Sequence, residues 1–269
     1  MNAEMLLIFT LCCDRAYLFA HPERELTAEE QGRYDAAIVQ RSRGIPAQYI
    51  TGHQEFWGMD FIVSPAVLIP RPETEHVIET VLHLVRVRGP ASSPTAAPRI
   101  VDVGTGSGCI ALALARELPS AEIHATDISP AALEIARANA ARHQLQDRVH
   151  FHETDLLKGL PLANFDVVVS NPPYVGESEE DQVQLEVRKF EPRQAVFAGP
   201  TGLEVISRLI PQAQAALRPE GWLVMEISGT TASGAKQLLS AWRQVSVTND
   251  LQGIPRVVSA RNFAAQRVN

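Results

Sequence analysis

From Arg99 onward, segments with a strand pattern alternate along the chain with segments that have helical periodicity. Strands are expected at 99–103, 121–126, 148–153, 166–170 and 222–228. Helices are expected between them, at 107–118, 130–143, 203–217 and 232–242. Alternation of this kind predicts an α/β domain in which a mostly parallel sheet carries helices on both faces.

The last two strands constrain the sheet further. They are expected at 244–250 and 255–261, joined around Gly253 by a turn that is too short for a crossover helix. Such strands have to run antiparallel. A mostly parallel sheet whose last strand is antiparallel is the Rossmann-like architecture of class I methyltransferases, and this is the fold class that we predict.

The chain before this sheet begins with a helical pattern. Apolar residues at helical spacing predict a helix from residue 3 to about 20. Thr27 with Glu30 three residues later forms a capping box, which predicts the start of a second helix. Gly44 and Pro46 end that helix. We therefore expect a small helical domain at residues 1–46.

A hairpin and a linker are expected next. Aromatic and β-branched residues between 48 and 63, with Gly58 at the turn, predict a β-hairpin. A helix is expected at 74–87, followed by a Pro-, Ala- and Ser-rich surface linker at 89–98. The expected units are therefore a hairpin linker at 47–69 and a sheet domain at 70–269.

The composition narrows the classes of partner. The chain has 31 acidic and 24 basic residues and a net charge of −7, whereas duplex nucleic-acid binders usually carry a basic face. This balance fits a protein substrate better, although a local basic patch stays compatible with it. The three cysteines have no metal-ligand spacing, and no stretch approaches the roughly 20 apolar residues of a membrane span. We expect a cytoplasmic monomer that has no metal, no membrane partner and no stable nucleic-acid partner.

The strongest local motif is VDVGTGSGCIALALA at residues 101–115, a strand, a glycine-rich turn and a helix start in that order. Its glycines let the backbone turn tightly and approach a ligand closely. The run lacks the spacing of the dinucleotide fingerprint and the Lys-Ser/Thr of a phosphate-binding loop. We predict a loop for a ligand without a pyrophosphate, formed by Gly104, Thr105, Gly106, Ser107 and Gly108.

Acidic residues accompany this loop at the ends of strands. Asp102 stands two residues before Gly104 and could attract a cationic ligand directly or through water. Asp127 ends the second strand, where an acid accepts hydrogen bonds from ribose hydroxyls; it could also cap the next helix. Asp155 and Leu156 follow the third strand, where a base would contact them, although an Asp in a simple turn remains the alternative.

The sequence Asn171-Pro172-Pro173-Tyr174 follows the strand at 166–170, and ligands bind at this edge of open α/β sheets. The Asn171 side-chain oxygen and the Pro172 carbonyl could accept both N–H bonds of a planar NH₂ group. This would orient a poor nucleophile and stabilise positive charge that develops on it. The prolines stiffen the loop, and Tyr174 offers a flat face for stacking.

Several segments together resemble those of the release-factor glutamine methyltransferases, the HemK/PrmC family. The resemblance covers nearly the whole chain. It rests on the following segments: YITGHQEFWGMDFIV at 49–63, VLIPRPETE at 67–75, the glycine loop, Asn171–Tyr174, FEPRQAVFAGPTGLEVISRLI at 190–210, GWLVMEIS and RVVSARN. The acid Glu73 favours the release-factor family over the related ribosomal-protein glutamine methyltransferases, in which a serine is expected at this position.

The resemblance implies an activity, a cofactor and a partner. The family uses S-adenosyl-L-methionine, leaving S-adenosyl-L-homocysteine, to methylate the amide nitrogen of the Gly-Gly-Gln glutamine in class 1 peptide chain release factors. The resemblance places cofactor-binding roles on Gly104–Gly108, Asp127, Asp155 and Leu156, with Asp102 beside them. It places catalysis on Asn171, Pro172 and Tyr174, and substrate binding on these three and Pro173, with Asn171 also facing the cofactor.

Arg71, Pro72 and Glu73 match the family's segment that closes over the cofactor, and the resemblance implies that Arg71 and Glu73 bind the substrate. The same residues also fit a capped helix start whose acids favour the dipole. The family usually has one more helix before Ala3, so we expect a shortened recognition domain here. Two other activities stay open. One is methylation of an amino group in nucleic acid, because adenine methyltransferases share Asn-Pro-Pro-Tyr; the other is methylation of a glutamine in another protein.

Overall fold

The computed structural model describes residues 2–87, 97–160 and 164–263. The predicted linker at 89–98 lies outside the described residues except for its last two positions. Among the helices in these ranges, none combines the length and apolar character needed to cross a membrane.

The N-terminal part is helical. Its helices are α1 (Asn2–Leu11), α2 (Arg15–Ala20), α3 (Ala28–Ser42) and α4 (Ala47–Thr51). The single helix expected at 3–20 is wrong, because Cys12 has a left-handed φ of 49° and Asp14 caps a new helix by accepting the Tyr17 N–H at 2.7 Å. The capping box of Thr27 and Glu30 is present as predicted.

The hairpin is shorter than expected, because its first residues form α4. Pro46 precedes this helix, and Gly52 ends it with a φ of 77°. Strands β1 (His53–Phe56) and β2 (Met59–Ile62) then pair antiparallel around Gly58. A 3₁₀ turn at Pro72–Thr74 leads into α5 (Glu75–Val87).

The rest of the chain forms the predicted sheet with its helices. The alternating elements are β3 (Arg99–Val103), α6 (Cys109–Glu117), β4 (Glu122–Asp127), α7 (Pro130–Arg142), β5 (Val149–Glu153) and β6 (Phe165–Ser170). An insertion follows, with β7 (Val175–Gly176), a 3₁₀ helix (Glu177–Gln182), α8 (Leu185–Phe190), α9 (Arg193–Val196) and β8 (Phe197–Gly199). The last elements are α10 (Glu204–Ala216), β9 (Leu217–Glu226), α11 (Ala232–Leu238), β10 (Arg243–Asn249) and β11 (Pro255–Arg261).

The sheet has seven strands in the order β10-β11-β9-β6-β3-β4-β5. Its central pairs are parallel, whereas β11 is antiparallel to both β9 and β10. The predicted fold class is therefore confirmed. Because β3, β4 and β6 are parallel neighbours, the residues that follow them meet at one edge of the sheet.

Two apolar layers cover the faces of this sheet. One layer packs the hairpin, α5 and α6 against it, with Phe56, Phe61 and Leu112 almost fully buried. The other packs α10 and α11 against the opposite face. The hairpin therefore belongs to the core of the sheet domain and holds the segment that follows β2 near the sheet edge.

Asn139 of α7 joins the hairpin to the glycine loop. Its Oδ1 accepts the Ile62 N–H at 2.7 Å, and its Nδ2 donates to the carbonyls of Ile62 at 3.0 Å and Ser107 at 2.9 Å. Asn139 is fully buried, so these hydrogen bonds are shielded from solvent.

Replacing Asn139 by alanine should lower the free energy of unfolding by about 3 kcal/mol, because one buried and two part-buried backbone groups lose their partner. Urea unfolding followed by circular dichroism measures this. Gln146→Ala removes an amide from an exposed position of the same domain and should change little. A loss below about 1 kcal/mol for the Asn139 variant would contradict this account of the hairpin.

Candidate active site

A cavity of about 340 Å³ opens at the carboxyl edge of β3, β4 and β6. Its wall combines the glycine loop, the ends of these strands and the segment after the hairpin. The predicted site residues that line it are Arg71, Gly104, Thr105, Gly106, Ser107, Asp127, Asp155, Leu156, Asn171 and Pro173. The structure thus brings most of the predicted residues to one place.

The glycine loop has the conformation that its sequence predicts. Gly104, Gly106 and Gly108 have φ values of 72°, 56° and 83°, all in the left-handed region that side chains disfavour. A Cβ on Gly104 or Gly106 would meet no atom within 4 Å, so these two glycines open onto free space. A Cβ on Gly108 would lie 3.3 Å from the side chains of Ala136 and Leu112. Gly108 therefore serves packing of the helix, whereas the other two keep the wall of the cavity open.

Asp127 holds the loop in place at the end of β4. Its Oδ2 accepts the Gly106 N–H and its Oδ1 accepts the Ser129 N–H, both at 2.9 Å. Burial raises the pKa of this carboxyl, and the N–H donors of Ser129 and Gly106 act in the opposite direction. Ser129 caps α7 by itself, so Asp127 binds the turn before the helix and still faces the cavity.

Asp102 lies beneath the loop and is fully buried. Its Oδ2 accepts the Thr105 hydroxyl at 2.6 Å and the Ala111 N–H at 3.2 Å. Its Oδ1 is buried and has no hydrogen-bond partner. Asp102 is absent from the residues that line the cavity, so any attraction on a cationic ligand has to act through the loop.

The buried state of Asp102 predicts a pH effect on stability. Burial raises its pKa to about 7, from an ordinary value of 3.8, while the hydrogen bonds of Thr105 and Ala111 lower it. Between these two values the folded state holds more protons than the unfolded chain, so the free energy of unfolding falls as the pH rises through this window.

Asp102→Asn should remove the pH dependence that this carboxyl causes. The decrease in the free energy of unfolding across the window should then be smaller by roughly 2–4 kcal/mol. The amide can keep one oxygen acceptor and place its NH₂ where Oδ1 lacks a partner. The test is the difference between wild-type and variant urea midpoints across the window. Parallel curves for the two proteins would show that Asp102 is ionised throughout it.

Asp155 and Leu156 also line the cavity. Asp155 Oδ2 pairs with Arg208 of α10, and both residues line the cavity. Leu156 has a left-handed φ of 56° and packs partly against the second apolar layer. Ile128, which is largely exposed, adds another apolar side chain to the lining.

Asn171 stands at the end of β6 and lines the cavity, as does Pro173. The Asn171 Nδ2 donates to the Thr74 Oγ1 at 3.1 Å. Pro172 is buried and does not line the cavity. Tyr174 does not line it either, since its ring packs against the second apolar layer and its hydroxyl donates to Glu226 Oε1 at 3.0 Å.

The segment after the hairpin is fixed by a buried acid. Glu191, whose side chain is 1% exposed, pairs with Arg71 and accepts the Ile69 N–H at 3.0 Å. Arg71 is one of the residues that line the cavity. Glu73 does not line the cavity and lies 3.9 Å from the Arg256 guanidinium.

Four contributors were missed from the sequence: Thr74, Glu191, Arg208 and Glu226. Thr74 and Glu226 lie in segments that carry the family resemblance, yet they are 152 residues apart, and nothing local indicates their contact. Glu191 and Arg208 belong to another such segment. An unusual acid in an apolar strand, as in the GWLVMEIS segment, is the one signal that could have identified Glu226.

The sheet order, its antiparallel last strand and a glycine loop at the carboxyl edge define a class I methyltransferase. The family model described as Methyltransferase small domain matches residues 91–189, and the one described as PrmC N-terminal domain matches residues 1–52.

The chain is 55% identical over 267 residues to the release factor glutamine methyltransferase of Koribacter versatilis, covering 97% of this chain and 90% of that protein. It is 41% identical over 263 residues to the one of Xylella fastidiosa strain 9a5c, covering 97% and 92%. The chain belongs to the release factor glutamine methyltransferase family. Its fold is also similar to that of a Thermus thermophilus 16S rRNA N2 G1207 methyltransferase solved with AdoMet and guanosine. The TM-score there is 0.56 and the identity 17%, covering 78% of this chain and 49% of that one.

Proposed function

We propose that this protein uses S-adenosyl-L-methionine to methylate the side-chain amide nitrogen of the Gly-Gly-Gln glutamine in class 1 peptide chain release factors. The observation that carries the proposal is the orientation of the Asn171 amide in the wall of the cavity. Its NH₂ group donates a hydrogen bond to Thr74, so its side-chain oxygen points away from Thr74 and is left to accept from a substrate. The family relationship supports the same substrate.

The residues of the cavity suit this cofactor. Gly104 and Gly106 leave room for close backbone approach, and the carboxylate of Asp127 can accept ribose hydroxyls. Leu156 and Ile128 offer apolar surface for a base, and Asp155 offers a carboxylate for its amino group. The Oδ1 of Asp102 is buried behind the loop without a partner. When Asp102 is ionised, above its pKa of about 7, this carboxylate adds negative potential that favours a cationic ligand. When bound, the cofactor supplies an electrophilic methyl group.

The chain's own residues then orient the substrate. In our proposal the Asn171 Oδ1 and the Pro172 carbonyl accept the two N–H bonds of the glutamine amide and aim its nitrogen at the methyl group. The nitrogen forms a bond to the methyl carbon as the carbon–sulfur bond breaks. Positive charge that develops on the nitrogen is stabilised by these two oxygens. The nitrogen afterwards loses a proton to solvent, so no side chain is required as a base.

The test uses the purified protein, labelled S-adenosylmethionine and the release factor of the same organism. A release factor whose Gly-Gly-Gln glutamine is replaced by alanine is the matched control. Label on the first and none on the second supports the proposal. Label on both would point to another glutamine, and label only on added RNA, with steep salt dependence, would point to an amino group in nucleic acid.

A further inference from the structure

Glu226 is a buried acid beside the candidate active site, and the proposed mechanism does not use it. It ends β9 and is 2% exposed. Its Oε2 accepts the Thr74 hydroxyl at 2.6 Å, and its Oε1 accepts the Tyr174 hydroxyl at 3.0 Å. Both oxygens of this carboxyl group therefore act as acceptors for hydroxyl groups.

The groups around Glu226 shift its pKa in opposite directions. Burial raises its pKa, whereas the hydrogen bonds from Thr74 and Tyr174 lower it, Glu73 raises it and Arg256 lowers it. Burial also raises the pKa of the Tyr174 hydroxyl well above its ordinary value, so this group keeps its proton and remains the donor.

The direction of the chain of hydrogen bonds follows from the chemistry of a hydroxyl group. Thr74 has a single O–H, and it is donated to Glu226. Its remaining lone pairs can only accept, so they bind the NH₂ of Asn171 and reject its carbonyl oxygen. The oxygen and NH₂ ends of an amide side chain are similar in size and shape. The contact with Thr74 selects the NH₂ end and leaves the oxygen free.

We propose that Glu226 and Thr74 are positioning residues for methyl transfer, which lock the Asn171 amide with its oxygen free for the substrate nitrogen. This inference rests on the proposed function. As the acceptor of the Thr74 hydroxyl, Glu226 polarises Thr74, which in turn polarises the Asn171 amide, so that its oxygen becomes a stronger acceptor. Through Tyr174 the same carboxylate also fixes the other end of the Asn171–Tyr174 loop.

A purely structural role does not by itself account for a buried carboxyl group at position 226. Burying a carboxyl group costs free energy unless its hydrogen bonds compensate, and an apolar side chain of similar volume often stabilises a fold as well or better. The distinction is experimental, because a positioning residue changes turnover through Asn171, whereas a structural one changes stability alone.

The experiment measures kcat and KM for methylation of the release factor, the Kd for S-adenosylmethionine, and the melting temperature. Thr74→Val removes the hydroxyl and keeps the shape of the side chain, whereas Thr74→Ser keeps the hydroxyl and removes the methyl group. Glu226→Gln keeps the size but introduces an NH₂ that can donate to Thr74 and reverse the chain of hydrogen bonds. Thr80→Val is the matched control, since the Thr80 hydroxyl binds the His76 carbonyl within α5 and Thr80 does not line the cavity.

We expect Thr74→Val and Glu226→Gln to lower kcat about 10- to 100-fold, with the Kd for the cofactor within about threefold of wild type. Thr74→Ser should recover most of the turnover, and Thr80→Val should match wild type. In an Asn171→Ala background, Thr74→Val should have no further effect, because it acts through the missing amide.

Two results would overturn the inference while leaving the proposed function intact. One is an active Thr74→Val variant within about twofold of wild type. The other is the same fold-loss from Thr74→Val with and without Asn171, which would show that the two act independently. A wild-type protein that leaves the release factor unmethylated would instead overturn the proposed function and this inference with it.

Discussion

Replacing Asn171 by alanine should lower kcat about 100- to 1,000-fold, the range seen when one preorganised group that stabilises transition-state charge is removed. The variant loses the side-chain oxygen that orients the substrate amide and faces the charge that develops on its nitrogen. Its contact with Thr74 contributes little to the fold, so the melting temperature should change only slightly. The measurement is steady-state methylation of the release factor with saturating cofactor.

Two controls separate chemistry from binding. The Kd of Asn171→Ala for S-adenosylmethionine, measured by calorimetry, should stay within about fivefold of wild type, since the glycine loop and Asp127 are untouched. Gln146→Ala removes an exposed amide at the opposite end of the sheet and should leave kcat unchanged. An Asn171→Ala protein with normal kcat but a raised KM would mean that Asn171 only binds the substrate, and that the proposed charge stabilisation is wrong.

Replacing Asp127 by alanine should raise the Kd for S-adenosylmethionine about 100-fold. The variant loses the acceptor proposed for the ribose hydroxyls. It also leaves the N–H groups of Gly106 and Ser129 without their carboxylate, so the loop loses its fixed shape. Hydrogen bonds to a charged group contribute roughly 1.5–3 kcal/mol each, which makes a hundredfold loss a moderate expectation.

Titration calorimetry of the two proteins measures this effect directly. Asp127→Asn keeps one acceptor oxygen and should lose affinity less than the alanine variant does. Asp147→Ala, an exposed acid in the turn before β5, is the matched control and should bind like wild type. If the affinity of Asp127→Ala falls less than about threefold, the ribose lies elsewhere and Asp127 serves only to hold the loop.

The sequence predicted the sheet well because its signals are local. A buried strand such as the one containing Val167–Val169 and the turn that follows Val103 are each defined within a few residues. Parallel strands then bring their carboxyl ends together by geometry alone. The glycine loop, Asp127 and Asn171 could therefore be assigned to one edge before any distance was known.

The insertion after Tyr174 was not predicted, because its short elements depend on distant contacts. Glu191, for example, is buried only because Arg71 and the Ile69 N–H bind it from 120 or more residues away. The contact between Thr74 and Glu226 is of the same kind. No period or propensity carries such information, since each partner looks ordinary in its own segment.

The position of β11 between β9 and β10 has a consequence for the nascent chain. The strand that ends in Glu226 keeps a free edge until Pro255–Arg261 has left the ribosome, because β11 supplies its missing neighbour. Free strand edges invite pairing with other chains. We therefore expect the emerging protein to depend on protection by a chaperone until its last strand is made, and chains that stop short of β11 to aggregate even though every residue of the proposed site has already been synthesised.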